Sequence, residues 1–271
     1  MKIGINRWTF PSDWTIERCF RLAKESGFDS IEINIAEDDY LTPKSGEAET
    51  KALLNLATSI GLEVSSLSTG LGWRYPLTSP DSAVREQGKR NIVSQLERAQ
   101  WLGVDTILVV PGIVNADISY DAAYTRAQEA LKEVAGEAEA RKVSIGVENV
   151  WNKFLLSPLE FARFLDEIDS PYVGAYFDVG NVLLYGYPDQ WIRILGSRIK
   201  KVHVKDFKTN IGNGSGFSNI LQGNVPWESV RVALKEIGYD EYVTAEVDGY
   251  ITNKELGIRH IAECLKSVFS E

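Results

Sequence analysis

The sequence predicts an α/β protein folded as a single (β/α)8 TIM barrel, and three observations predict it. Eight short β-rich runs alternate with longer stretches of helical periodicity along the 271-residue chain. Most of the runs are continuous Val/Ile/Leu segments, as in parallel strands covered on both faces. No linker or shift in composition divides the chain, whose length suits a barrel of about 250 residues. The expectation is one domain over residues 1–271. A doubly wound open sheet fits less well. It would place a glycine-rich phosphate turn after the first strand, where IGINRWTF carries bulky residues instead.

The elements follow in order. The first strand is 2–6, and Ile16, Cys19, Phe20 and Ala23 then recur at helical spacing behind a cap at Ser12 or Asp13. Strand 30–34 precedes a helix striped by Leu53, Ala57 and Ile60. Strand 63–67 leads into segment 68–81, with Gly70, Gly72, Trp73, Tyr75 and two prolines. Val93, Leu96 and Ala99 mark the next helix, and strands 105–109, 144–148 and 174–178 come after it. Ser157-Pro158 opens a helix carrying Phe161, Phe164 and Leu165, since proline fits the first helical turn. Strand 200–204 runs into the polar segment 205–224, which holds four glycines. Trp227, Val230, Leu234 and Ile237 stripe a helix stopped by Gly238, before strand 242–247 and a last helix over 253–269. In a barrel, segments 68–81 and 205–224 both follow strand C-termini on the active-site face. They read as lids over that face or as plain surface loops.

Charge and composition narrow the function classes. The chain has 38 acidic and 29 basic residues, a net charge of −9, and such a surface repels a phosphate backbone. Nucleic acid is therefore not an expected partner. No apolar run approaches the ~20 residues of a membrane helix, and MKIGINRWTF lacks the apolar core of a signal peptide. The expectation is a soluble cytoplasmic protein with no membrane contact. Cys19 and Cys264 lie far apart in helical stretches without metal-site spacing, and read as two buried thiols in a reducing compartment.

The informative feature is where polar residues fall in the second half. Strand five ends in GVEN with Glu148, strand six in YFDVGN with Asp178, strand seven in VHVKD with His203, and strand eight holds AEVD with Glu246. On adjacent barrel strands these four side chains would meet near the C-terminal rim. Three carboxylates in one confined space repel one another unless a positive charge joins them. One divalent metal ion bound by three carboxylate oxygens and an imidazole nitrogen resolves the conflict. Mn, Mg or Co suits this oxygen-rich set, and Zn is also compatible. His260, on the last helix, reads as structural or exposed.

These motifs resemble the xylose isomerase-like superfamily of sugar and sugar-phosphate isomerases and epimerases. Within it the chain is similar to the ketose 3-epimerase and pentulose- or hexulose-phosphate epimerase branch. The stretches that carry the resemblance are GVEN, FDVGN, VHVKD and QGNVPWESVRVALKEIGYDEYVTAEV, and the resemblance is strongest over 144–247. It implies that Glu148, Asp178, His203 and Glu246 bind one divalent metal, and that Glu148 and Glu246 are also the acid/base pair. The chemistry of the residues agrees with that implication. Epimerising a ketose requires a proton to leave carbon next to a carbonyl and return on the opposite face, and two carboxylates flanking the substrate suit that task.

The sequence also departs from relatives of this kind. Some non-phosphorylated ketohexose epimerases carry histidine three residues after the metal-binding aspartate, where this chain has Asn181. A phosphate would need a cation or backbone N–H groups, and Lys205, Lys208 and the amides of 212–216 are the candidates. Gly223-Asn224-Val225-Pro226 stands where relatives often carry an acidic residue. Trp8, Trp151 and the strand-two residues Glu32 and Asn34 complete the substrate-pocket candidates. Glu32 is notable because an unpaired buried carboxylate is costly, so it should pair with a sugar hydroxyl or a nearby lysine.

The expected partner is a small-molecule sugar or sugar phosphate, and exposed aromatics such as Trp73 would serve a lid or a homo-oligomer contact. A lyase of the same superfamily, similar to inosose or dehydroshikimate dehydratase, is the alternative, since it too begins by removing a proton beside a carbonyl. A non-catalytic sugar-binding barrel is a further reading. A class II apurinic endonuclease is disfavoured by the negative charge and by a total of two histidines. A two-metal aldose isomerase would need further carboxylate and histidine ligands that the sequence does not place.

Overall fold

The computed structural model describes residues 1–270. Eight parallel strands close into a barrel: β1 (Lys2–Asn6), β2 (Ser30–Ile35), β3 (Glu63–Thr69), β4 (Thr106–Val109), β5 (Ser144–Glu148), β6 (Val173–Asp178), β7 (Ile199–Val204) and β10 (Tyr242–Ala245). Around the barrel they follow chain order, with β10 hydrogen-bonded between β7 and β1. The remaining strands, β8 (Asp206–Phe207) and β9 (Phe217–Ser218), form a two-stranded antiparallel hairpin outside it. The outer ring comprises α1 (Ile16–Ser26), α2 (Glu47–Ile60), α4 (Ser82–Leu102), α5 (Tyr120–Arg141), α6 (Pro158–Asp166), α7 (Pro188–Leu195), α8 (Trp227–Glu236) and α9 (Lys254–Phe269), with a single turn, α3 (Leu71–Arg74), between β3 and α4. Among the described residues, no helix is long and apolar enough to cross a membrane.

Strand alternation divides the interior into two layers. One set, including Ile5, Ile31, Ile33, Phe177, Val202 and Val204, is buried beneath the helices; Phe177 stacks on Trp191 of α7 at 6.3 Å. The alternate set, including Asn6, Glu32, Ser66, Tyr176 and His203, fills the barrel and is largely polar. Gly146 belongs to this inner layer because a Cβ there would lie 2.9 Å from the Tyr176 ring.

Several local expectations are corrected. The α1 cap is Thr15, not Ser12 or Asp13. Arg7 takes up the preceding segment, donating to the carbonyls of Phe10, Ser12 and Trp14. Ser157 and Pro158 open α6 as expected, the serine side chain accepting from Glu160 N–H. Segment 68–81 is not a plain surface loop. Its first residues extend β3, and Leu71, Leu77 and Thr78 are buried. The Thr78 hydroxyl donates to the Ile113 carbonyl at 2.8 Å and accepts the Ile113 N–H at 2.9 Å, which pins the segment to the next loop. Segment 205–224 is the hairpin, anchored where the fully buried Asp206 accepts the Val225 N–H and the Trp227 indole N–H, both at 3.0 Å. Of the two thiols only Cys19 is fully buried; Cys264 is half-buried.

Candidate active site

The four polar residues expected to converge do so. Glu148 closes β5, Asp178 closes β6 in register with His203 of β7, and Glu246 follows β10 directly. The last strand stops one residue short of Glu246, whose N–H still donates to the Val204 carbonyl at 3.1 Å and keeps it beside β7. One ligand atom from each of the four lies within 4.8 Å of every other.

The strand ends are locked by two asparagines. Asn149 and Asp178 exchange hydrogen bonds, side-chain amide to carbonyl and N–H to side-chain oxygen, both at 2.8 Å. Asn181 donates its backbone N–H to Asp178 Oδ1 at 2.8 Å and its side-chain amide to the Asn149 carbonyl at 2.9 Å. Trp151 donates its indole N–H to the Asn181 carbonyl at 2.8 Å and packs against Phe217 and Phe207 of the hairpin. These contacts spend the Asn181 amide and the Trp151 indole N–H on the protein itself, so both residues frame the site.

Lys205 enters between the carboxylates. Its ammonium lies 2.6 Å from Glu246 Oε2 and 2.9 Å from Asp178 Oδ2, an ion pair with each. Gly180 makes room for this lysine, since a Cβ there would lie 2.5 Å from Lys205 Cγ. Lys205 is thus an ion-pair member of the cluster rather than a free phosphate contact.

Glu32 corrects a second expectation. It pairs with no lysine and lies behind the cavity lining. Buried on β2, it accepts hydrogen bonds from Asn6, Ser66 and Tyr176, and its Oε1 lies 2.8 Å from His203 Nε2. Asn34 is turned to the same interior, bonded to Asn6 and Ser68. Asn149, Asn6, Ser66 and Tyr176 were not singled out from the sequence. Only Asn149 carried a signal, as the last letter of GVEN.

Electrostatics follow from burial and these pairings. Burial pushes the Glu148 carboxyl up to about 7, with the neighbouring Glu246 charge adding to the rise. Burial likewise raises Asp178. For Glu246 burial is outweighed by Lys205 and His203, which hold it below the ordinary range. Burial is also overcome at Glu32, where His203, Ser66 and Tyr176 bring the carboxyl down to about 2. His203 and Lys205 are raised against the cost of burial by the surrounding carboxylates.

The donor set fits a metal ion. Buried His203 Nδ1 has no hydrogen-bond partner, although it lies 3.7 Å from carboxylate oxygens of both Glu148 and Glu246. A buried, unpartnered imidazole nitrogen facing three carboxylates is the arrangement a divalent cation completes. Above the cluster opens a cavity of about 680 Å³, lined by Trp8, Lys208, Phe217 and Tyr250 as well as Lys205 and Glu246. Trp8 is half exposed there. Glu32, Trp151 and Asn181 stand behind its lining.

A family model described as xylose isomerase-like TIM barrel matches residues 20–268. The chain belongs to that family. The L-ribulose-5-phosphate 3-epimerase of Salmonella paratyphi C (strain RKS4594) is 28% identical over 241 residues, spanning 88% of this chain and 84% of that protein. The protein of the same name from Escherichia coli (strain K12) matches at the same identity and coverage. Both are named epimerases, that is, isomerases. Among solved structures, a D-psicose 3-epimerase in the presence of D-fructose superposes with a TM-score of 0.83 at 19% identity, over 100% of both chains. An L-ribulose 3-epimerase superposes at 0.81 with 20% identity, over 98% of this chain and 95% of that one. At such identities these superpositions speak to the shared barrel fold alone.

Proposed function

We propose that the protein is a divalent-metal-dependent epimerase of a ketose or ketose phosphate, with Glu148 and Glu246 as the proton-transfer pair. The observation that carries this reading is the convergence of four ligand atoms within 4.8 Å, one of them from Glu246, which lines the cavity. Glu148, Asp178, His203 Nδ1 and Glu246 would hold the cation, which supplies Lewis acidity to stabilise an enediolate.

The chain's own groups supply the rest. Glu148 and Glu246 reach the cluster from opposite sides of β6 and β7, so one carboxylate takes a proton beside the carbonyl and the other returns one. Lys205, in contact with Glu246, keeps that carboxylate charged and ready to accept a proton. Burial raises the proton affinity of Glu148 in the metal-free protein, which suits a group that takes up a proton and releases it again. Trp8, Phe217 and Tyr250 offer apolar faces to a sugar ring and exclude water. Lys208, Ser218 and Asn219 give the cavity a polar end, where the buried Ser218 Oγ and Asn219 Oδ1 have no hydrogen-bond partner. That polar end suits the tail of the substrate, a hydroxyl or a phosphate, and the named relatives acting on L-ribulose 5-phosphate favour the phosphate. A cytoplasmic location accords with the two unpaired cysteines.

The test is solvent exchange in heavy water. Metal-loaded protein is incubated with matched ketoses and ketose phosphates and followed by NMR. Deuterium entering beside the carbonyl, with inversion at that carbon and loss of exchange in Glu246→Gln, is the expected result. A product lighter by one water would make the protein a lyase, and no exchange with any member would contradict the reading.

A further inference from the structure

Glu32 touches neither the cavity nor the four clustered ligand atoms, yet a buried carboxylate persists only when compensated. Here the compensation comes entirely from donors. Asn6 donates its amide to Oε1, the Ser66 and Tyr176 hydroxyls donate to Oε2, and His203 Nε2 stands 2.8 Å from Oε1. A carboxylate only accepts, so the His203 hydrogen belongs on Nε2; an unprotonated Nε2 would set two lone pairs against each other. With the proton on Nε2, the neutral ring presents its Nδ1 lone pair to the opposite side. That is the side on which Nδ1 is unpartnered and lies 3.7 Å from both Glu148 and Glu246.

We propose that Glu32 is the positioning residue of the site, fixing the tautomer and rotation of His203 so that Nδ1 faces the cation position. Asn6, Ser66 and Tyr176 in turn hold Glu32. The inference rests on the metal reading above and adds a residue that acts only through another. It also explains why the inside of the barrel is polar: Asn6, Glu32, Ser66 and Tyr176 come from β1, β2, β3 and β6, so the orientation of the one imidazole on β7 is set by side chains from four other strands. Glu32→Gln keeps the shape but gives one side-chain atom hydrogens of its own. Those hydrogens must face the Ser66 and Tyr176 donors or His203 Nε2, and in the second case the ring is driven toward the Nδ1–H tautomer.

The sequence makes the test clean, because it contains two histidines. Protein labelled with ¹⁵N in its imidazole rings therefore gives two spin systems. His260, whose Nδ1 meets the Tyr250 hydroxyl at 3.1 Å far from Glu32 in the chain, reports on intact folding. Zn²⁺ affinity is measured by calorimetry and the His203 tautomer by NMR, in wild type, Glu32→Gln and Tyr176→Phe. The expected result is a single Nε2–H tautomer in zinc-loaded wild type and an affinity lowered about 10- to 100-fold in Glu32→Gln, with both His203 tautomers populated in the zinc-free variant at a pH high enough to leave the ring neutral. Tyr176→Phe, which removes one donor and keeps the carboxylate, should lose less affinity and retain the tautomer. Unchanged affinity and tautomer in Glu32→Gln would overturn the proposal while leaving the metal reading standing. Should that variant not fold, Tyr176→Phe with wild-type affinity would overturn it. Wild-type protein that binds no Zn²⁺ would overturn the metal reading, and this inference with it.

Discussion

Both ends of the barrel bury a lysine from the same strand path among carboxylates, and the two ends are finished differently. At the N-terminal end Lys201, 3% exposed, meets Asp105 at 3.0 Å and Glu241 at 3.3 Å, whose side chains are 64% and 54% exposed. Water completes the solvation of those carboxylates. At the C-terminal end Lys205 meets Asp178 and Glu246, which are 0% and 21% exposed, with Glu148 and His203 buried beside them. There the protein must supply the solvation, and it leaves His203 Nδ1 without a hydrogen-bond partner. One end is a closed ion-pair cluster; the other keeps an unpartnered imidazole nitrogen among its carboxylates, the arrangement that the proposed cation would complete. That division follows the barrel's usual assignment of stability to one face and chemistry to the other.

The comparison is broken most severely by removing the carboxylates themselves. Glu148→Gln and Glu246→Gln should each lower turnover by about 10²- to 10⁴-fold, the usual worth of a positioned acid or base. Asp105→Asn and Glu241→Gln at the opposite end should leave turnover unchanged. Steady-state rates of all four variants check this, and a comparable loss at both ends would erase the distinction.

Smaller effects should separate the two lysines. Lys205→Met removes the cation from buried carboxylates and should destabilise metal-free protein by about 3 kcal/mol. Lys201→Met leaves exposed carboxylates that water can take over, so its cost should stay near ~1 kcal/mol or below. Urea unfolding of metal-free protein measures both. Added metal should restore much of the loss in Lys205→Met and none in Lys201→Met.

The pH dependence of the metal-free protein sharpens the contrast further. Glu148, raised from 4.5 to about 7, contributes stability that is full below pH 4.5 and lost as pH rises through about 7. Glu32, lowered from 4.5 to about 2, contributes in the opposite sense: its stability is present above pH 4.5 and lost as pH falls toward 2. Because a ligand carboxyl must lose its proton, metal binding should release protons near pH 6 and tighten as pH rises to 8. Calorimetry in buffers of different ionisation enthalpy counts those protons, and no release at pH 6 would refute the assignment for Glu148.

The outer layer of the barrel was legible in the sequence because it obeys periodicity. Runs such as Ile31–Ile33–Ile35 and the helix stripes of Phe161, Phe164 and Leu165 announce their burial. The rim was legible because Glu148, Asp178, His203 and Glu246 each interrupt or end such a run. The inner network was not. Asn6, Ser66 and Tyr176 are ordinary strand residues one by one, and their relation to Glu32 exists only once β1, β2, β3 and β6 close in register. Glu32 was visible as an anomaly, but its partner was misjudged because His203 lies 171 positions away. Segment 68–81 misled for a related reason: its glycines and prolines suggest a free loop, while Thr78 ties it to a partner segment that no local pattern reveals.

The central claim is that the C-terminal end is a cation site and the N-terminal end is not. Crystals of metal-free protein soaked in Mn²⁺, with data collected for anomalous scattering, test it directly. The account predicts one strong peak at about 2.0–2.3 Å from His203 Nδ1 and carboxylate oxygens of Glu148, Asp178 and Glu246, with none beside Lys201. A rim that stays without a peak at saturating Mn²⁺, or a peak among Asp105, Lys201 and Glu241 instead, would contradict it.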